Sequence, residues 1–278
     1  MAKQLLIYQS AVPISAARHA GVSVEASDTY AFSAGINAVP LMAIEFPLAS
    51  AEYAIVFAAE GEEVMPVVVL GIRNEQNLYL SPDAHWKANY IPAFIRRYPF
   101  VFSSSADGKS LTLCIDESHP GVNREGRGNA LFDKDGKPTP YVDKVLEFVR
   151  EFQRHFERTR LFGRRLKELG LLESMQANVT TPGGEKLALG GFMVASRERL
   201  RALGADVLKQ LVANDELEMV YLHLASLRNF AQVKDRLVNL SADAAPAPVA
   251  AEPAKRPKTA ARAKTGAPAR ARAKRGKK

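Results

Sequence analysis

The sequence predicts an α+β fold, with an antiparallel-rich N-terminal sheet region packed with C-terminal helices and followed by a disordered basic tail. Three observations carry this expectation. From residue 41 to about residue 115 the apolar residues come in short runs broken by turn residues, the pattern of strands. Beyond residue 140 they recur at spacings of three and four, the pattern of amphipathic helices. The charge then divides: residues 241–278 hold 11 Lys/Arg against Asp243 and Glu252, a balance of +9, whereas residues 1–240 hold 27 Lys/Arg and 28 Asp/Glu, a balance of −1. Residues 1–125 are thus expected as the β-rich part of one body, 126–240 as its mainly helical part, and 241–278 as the tail.

Residues 53–58 and 64–72 flank the polar run Glu60-Gly61-Glu62-Glu63 and read as a hairpin with buried strands. Residues 101–103 and 111–115 repeat the arrangement around Asp107-Gly108, where glycine tolerates the positive φ of a tight turn. Two hairpins imply a mainly antiparallel sheet. Between them, residues 92–98 suit a short helical turn, with Pro92 at its first position and Pro99 as its stop. Consecutive residues on such a turn point about 100° apart, so one guanidinium of the Arg96-Arg97 pair is expected inside the body and the other in solvent.

Residues 121–140 form a loop rich in Gly, Asn, Asp and Pro. Thr139 is the expected N-cap of the next helix, Pro140 its first residue, and Val142, Val145, Leu146, Val149, Phe152 and Phe156 its apolar stripe. Arg150, Glu151, Arg154, Glu157 and Arg158 mark the solvated face. Gly163 and Gly170 read as helix terminators, which places a second short helix ending near Gly170. A strand over 187–194 and a helical region over 197–240 complete the body; Leu217, Val220, Tyr221, Leu224 and Leu227 form its clearest stripe.

Composition narrows the class of protein. A hydrophobic content of 47% suffices for a core without staples, and Cys114, the single cysteine, excludes an intramolecular disulfide or a multi-cysteine zinc site. The apolar run at residues 5–8 is too short for the core of a secretory signal, and the longest, 64–72, is about half of what a membrane helix needs. A cytoplasmic protein without a transmembrane segment is expected. In the tail Val249 is the only sizeable apolar side chain, too little buried surface to offset the entropy of ordering. Residues 255–278 are the expected contact for DNA, RNA or another polyanion.

Few residues suggest chemistry. His85, Cys114, Asp116, Glu117 and His119 form a weak candidate cluster, joined by His223 further on, but their spacing matches no specific metal motif, and residues 116–120 also read as a polar strand exit. No metal and no cofactor is expected. The run from Gly121 to Gly128 lacks the Lys and Ser/Thr of a phosphate loop, and Asp133-Lys-Asp135-Gly136 lacks the remaining oxygen ligands of a calcium loop. The densest aromatic segment contains Trp86, Tyr90, Phe94, Arg96, Arg97, Tyr98, Phe100 and Phe102. Aromatic rings beside arginine can bind a peptide, a base or a planar ligand, so Trp86, Tyr90, Arg96, Arg97 and Tyr98 are the candidate binding surface, with core packing as the competing role.

With these segments in view, the chain resembles the SapC family of bacterial proteins. The resemblance rests on Val39-Pro-Leu and Glu45-Phe-Pro, on Val68-Val-Leu-Gly-Ile-Arg73 with Asn77-Leu-Tyr-Leu, and on Trp86-Lys-Ala-Asn-Tyr90-Ile-Pro-Ala-Phe-Ile-Arg-Arg-Tyr-Pro-Phe100. It continues through Leu113-Cys-Ile-Asp116, Leu131-Phe-Asp-Lys-Asp-Gly136 and Gly191-Phe192 to Val220-Tyr-Leu-His-Leu-Ala-Ser-Leu227. It implies a link to the bacterial surface layer and supplies no catalytic residue or cofactor. Three functions follow: a cytoplasmic binding or accessory protein with an unknown protein or peptide partner, linked to surface-protein production; a nucleic-acid-associated protein tethered by its tail; or an enzyme acting on a small molecule or peptide.

Overall fold

The computed structural model describes residues 6–105, 110–181 and 183–243. The chain begins with β1 (Ala11–Pro13), α1 (Ala16–His19), β2 (Ser23–Val24), β3 (Ala38–Pro40), α2 (Phe46–Ala49), β4 (Ile55–Glu60) and β5 (Glu63–Val69). It continues through α3 (Ala93–Arg96), β6 (Phe100–Ser104), β7 (Leu111–Asp116), β8 (Val122–Asn123), β9 (Asn129–Ala130) and α4 (Pro140–Glu168). The hairpin β10 (Leu172–Thr180) and β11 (Lys186–Ala195) precedes four helices, α5 (Arg197–Arg201), α6 (Ala205–Ala213), α7 (Glu216–Ser226) and α8 (Phe230–Asp243). The body is α+β, as its periodicities require.

Both predicted hairpins form, but in different sheets. The order β10-β11-β4-β5-β3 makes a five-stranded sheet, β1-β7-β6 a separate one, and β8-β2-β9 a third, in which two short strands of the 121–140 loop flank β2; every pairing is antiparallel. A hairpin satisfies only one edge of each strand, and packing chooses the partner for the other. The free edge of β4 takes β11, and that of β7 takes β1. The Asp107-Gly108 turn lies outside the described residues.

Helix α4 corrects a second expectation. Gly163 does not end a helix but lies inside one of 29 residues, because that turn rests on β5: a Cβ at Gly163 would stand 1.9 Å from the Val64 carbonyl oxygen. Gly170, at φ +64°, is the terminator. At the other end Thr139 has the extended backbone of an N-cap, yet its hydroxyl donates to the Ala130 carbonyl at 2.6 Å instead of capping. The length of α4 lets it serve two cores. Phe152, Phe162 and Leu166 pack with the five-stranded sheet and with Val220, Val233 and Leu237, while Val142 and Val149 pack with Val22, Val24, Phe100, Ile115 and Leu131.

The buried line of α7 is also displaced from the expected stripe. Val220 is buried together with His223 and Ser226, whereas Tyr221 is 47% exposed. Helix α8 runs past residue 240 to Asp243. The remainder of the basic tail lies outside the described residues. Among the described residues no helix is long and apolar enough to cross a membrane.

Candidate functional site

Two carboxylates position the aromatic segment. Glu45, buried just before α2, accepts hydrogen bonds from the Met42 amide (2.7 Å), the Tyr90 hydroxyl (2.6 Å) and the Ala93 amide (2.8 Å). Burial raises its pKa, and these donors oppose the rise. Glu52, beyond the same helix, accepts from the Asn89 amide and side chain and from the Tyr90 amide at 2.8–3.0 Å. Residues 89–93 are thus tied at two points to α2. Trp86 is held from behind, donating its indole N–H to the Tyr53 hydroxyl at 2.7 Å, while that hydroxyl donates to the Tyr90 carbonyl.

The turn so anchored is α3, and it separates the two arginines. Arg97 is 3% exposed, its guanidinium lying 4.5 Å from the ring centres of both Phe94 and Phe152 and interacting with the Tyr8 hydroxyl. Burial lowers its pKa against the opposing effect of that hydroxyl. Arg96 is exposed: its Nε donates to the Ile91 carbonyl at 2.9 Å, and its guanidinium lies 5.8 Å from the Tyr90 ring centre and 5.5 Å from that of Phe148. Such contacts hold a flexible cation in place without neutralising it.

Arg96, Arg97 and Tyr98 line a cleft of about 380 Å³, bounded by residues 24–32, α3 and its exit, and the first turns of α4. Tyr30, Phe32, Tyr98, Tyr141 and Phe148 supply half-buried aromatic faces; Lys144 and Glu25 add exposed charges. Phe32 and Tyr98 stack at 4.2 Å, and the edge of Tyr98 also meets Tyr8 and His119, each at 5.2 Å. Trp86 and Tyr90 stand behind this wall rather than in it. The sequence reading missed Tyr30, Phe32, Tyr141, Lys144 and Phe148. A signal existed for the last three, which recur at spacings of three and four beside the apolar stripe of α4; nothing local singles out Tyr30 or Phe32.

The weak candidate cluster does not assemble into one site. Asp116 and His119 stay together, and of the two His119 lines the cleft. Burial acts to raise the Asp116 carboxyl, but the Ser118 hydroxyl and the amides of Gln9, Ser10 and Ser118 outweigh it and hold the pKa below its ordinary value. Asp116 thereby fastens the start of the chain to the exit of β7. His119 is buried and its pKa is lowered by burial against the pull of Asp116; its Nδ1 accepts the Gly121 amide at 3.0 Å, so the neutral ring carries its proton on Nε2.

His85 lies apart, with Nδ1 3.2 Å from the Asp28 carbonyl and Nε2 3.6 Å from a carboxylate oxygen of Asp83. His223 is buried against β4 and β11. Cys114 is a buried strand residue whose thiol pKa is raised by burial. Glu117 forms a two-point ion pair with Arg18 at 2.6–2.8 Å. Among the described residues no group of three His, Cys, Asp or Glu side chains converges to hold a metal ion. Asp133 closes a turn, its Oδ1 accepting the amides of Asp135 and Lys137.

Fold and site together define an α+β protein with an aromatic, predominantly cationic cleft. The family model of SapC matches residues 14–233, and the chain belongs to the SapC family. No curated protein and no solved structure matches it. The Trp86 to Phe100 run that carried the resemblance is the segment clamped by Glu45 and Glu52, and it supplies one wall of the cleft.

Proposed function

We propose that this SapC-family chain is a binding or accessory protein whose cleft takes an acidic ligand with a planar, apolar body. The single observation that carries the reading is Arg96, an exposed guanidinium steadied by Tyr90 and Phe148 beside a cleft walled with aromatic rings. Lys144 adds a second exposed cation against the one lining carboxylate, Glu25. A volume of about 380 Å³ is that of a small-molecule or side-chain site. The rings would stack on the ligand body, and Arg96 would pair with its acid by charge-assisted hydrogen bonds. The link to surface-protein production is supported by the family alone.

Calorimetric titration tests this with indole-3-acetate and, as its uncharged counterpart, indole. Saturable binding of the acid, weak binding of indole, and a loss of about tenfold or more for the acid in Arg96→Gln are expected, since a charge-assisted bond contributes about 1.5–3 kcal/mol. Equal affinity for both compounds, or an unchanged affinity in the variant, would remove the acid-recognition role.

A second reading rests on the charge division. A +9 segment attached to a −1 body favours a polyanion as partner of residues 255–278, and the salt dependence described in the Discussion distinguishes it from the cleft.

A further inference from the structure

Strand β10 is the outer strand of the five-stranded sheet, and its inner edge pairs with β11. The direction of its backbone groups follows from His223. The Ala195 amide donates to His223 Nε2, on the β4 side of β11, so Leu172, opposite Ala195, turns its own N–H and C=O outward. Arg199 takes the Leu172 carbonyl at 2.8 Å. With a period of two, Ser174, Gln176, Asn178 and Thr180 face the same way. The ladder's irregularity falls on β11 at residues 190–191, with Gly191 at φ +77°, so β10 itself alternates without interruption.

Sheet edges are ordinarily blunted by shortness, proline, lysine or a bulge. The opposite edge of this sheet, β3, is three residues long and ends in Pro40. Strand β10 is nine residues long, contains no Pro or Lys, and has Glu173 as its single charge. Ser174, Gln176, Asn178 and Thr180 all have exposed, uncharged side chains.

These four positions are symmetric about Ala177. We propose that the protein pairs with a second copy of itself along β10, antiparallel about a two-fold axis at Ala177. Ser174 then lies opposite the copy's Thr180, and Gln176 opposite the copy's Asn178, each pair exchanging outward N–H and C=O groups. Ala177 meets its own copy at a position without hydrogen bonds, where Cα atoms approach to about 4.5 Å and a small side chain fits best. Glu173 falls opposite Thr181, so no like charges meet. Leu172 and Arg199 stay outside the pairing. The self-complementary edge requires no second kind of surface.

Size-exclusion chromatography with light scattering on the full chain tests the proposal. The wild type is expected at twice the chain mass. Gln176→Pro deletes one outward amide and leaves the β11 ladder its bonds; it should run as a monomer with an unchanged circular dichroism spectrum. A chain with Gln176→Lys and Asn178→Lys should also be monomeric, as should one with Gln176→Glu and Asn178→Glu, while mixing the two should restore a dimer. A wild type that stays monomeric at its highest soluble concentration, including one that captures an extended peptide instead, overturns the proposal. So does a dimer that survives in the doubly substituted lysine chain, or a failure of the two charged chains to assemble.

Discussion

His223 donates from Nδ1 to the carbonyl oxygen of Ile55 at 2.9 Å, at the point where β4 begins and its pairing with β11 has ended. The same ring accepts the Ala195 amide at Nε2 (3.0 Å), and Ser226, one turn on, accepts the Ile55 amide at 3.0 Å. Two side chains of α7 thus complete a ladder that the strands leave open. The arrangement requires a neutral imidazole, because a protonated Nε2 could not accept from Ala195.

A pH dependence follows. Burial lowers the His223 pKa to about 4 in the folded protein, against an ordinary value near 6.5. The unfolded chain therefore binds more protons between these values, and the stabilisation is fully present above about pH 6.5 and lost as pH falls toward 4, by roughly 3 kcal/mol in all. Urea unfolding at a series of pH values should show this slope, and His223→Gln should be less stable and lack most of it. By NMR the ring should remain neutral at pH 5; an imidazolium signal there would refute the assignment.

The two arginines of α3 should respond differently to truncation. Arg97→Ala removes a buried side chain packed between Phe94 and Phe152 and should cost on the order of 3 kcal/mol. Arg96→Ala gives up exposed contacts and should cost less than about 1 kcal/mol. Chemical denaturation of both variants checks this, and equal small shifts would contradict the buried position of Arg97.

Gly163→Ala should destabilise even though alanine is the better helix former by about 1 kcal/mol. The new methyl group meets the Val64 carbonyl, and forcing helix and sheet apart should cost about 1–3 kcal/mol beyond that gain. A raised melting temperature would show that α4 does not rest on β5 at this point.

Residues 241–278 should dominate any binding to DNA. If they neutralise about 5–8 phosphates, log K should fall against log salt with a slope of roughly −4.5 to −7. Sequence preference should be small, since the segment contains no aromatic residue to stack on bases. Titrating full-length and truncated chains against two unrelated duplexes at several salt concentrations decides it: affinity retained after truncation would move the site onto the body.

The sequence by itself determined the class of the fold, the 55–69 hairpin, the start of α4 at Pro140, the charge division and the unequal placement of Arg96 and Arg97. These are local matters, in which the spacing of apolar residues or the 100° step of a helical turn states which side chains can be buried together. Tertiary structure decided the rest. Strand β10 does alternate Met175, Ala177 and Val179 with polar residues, but it is largely exposed and only Val179 of that face is buried, so it is fixed as a strand by the edge that β11 offers. Gly163 reads as a terminator until β5 is placed beneath it, and His223 and Ser226 read as the polar flank of an apolar stripe until the open ladder between β4 and β11 requires them. The cleft combines residues 24–32, 95–100 and 141–149, which no spacing relates. Which edges and faces meet across long stretches of chain depends on burying apolar surface while pairing every buried backbone group, a condition on the whole fold that no single segment contains.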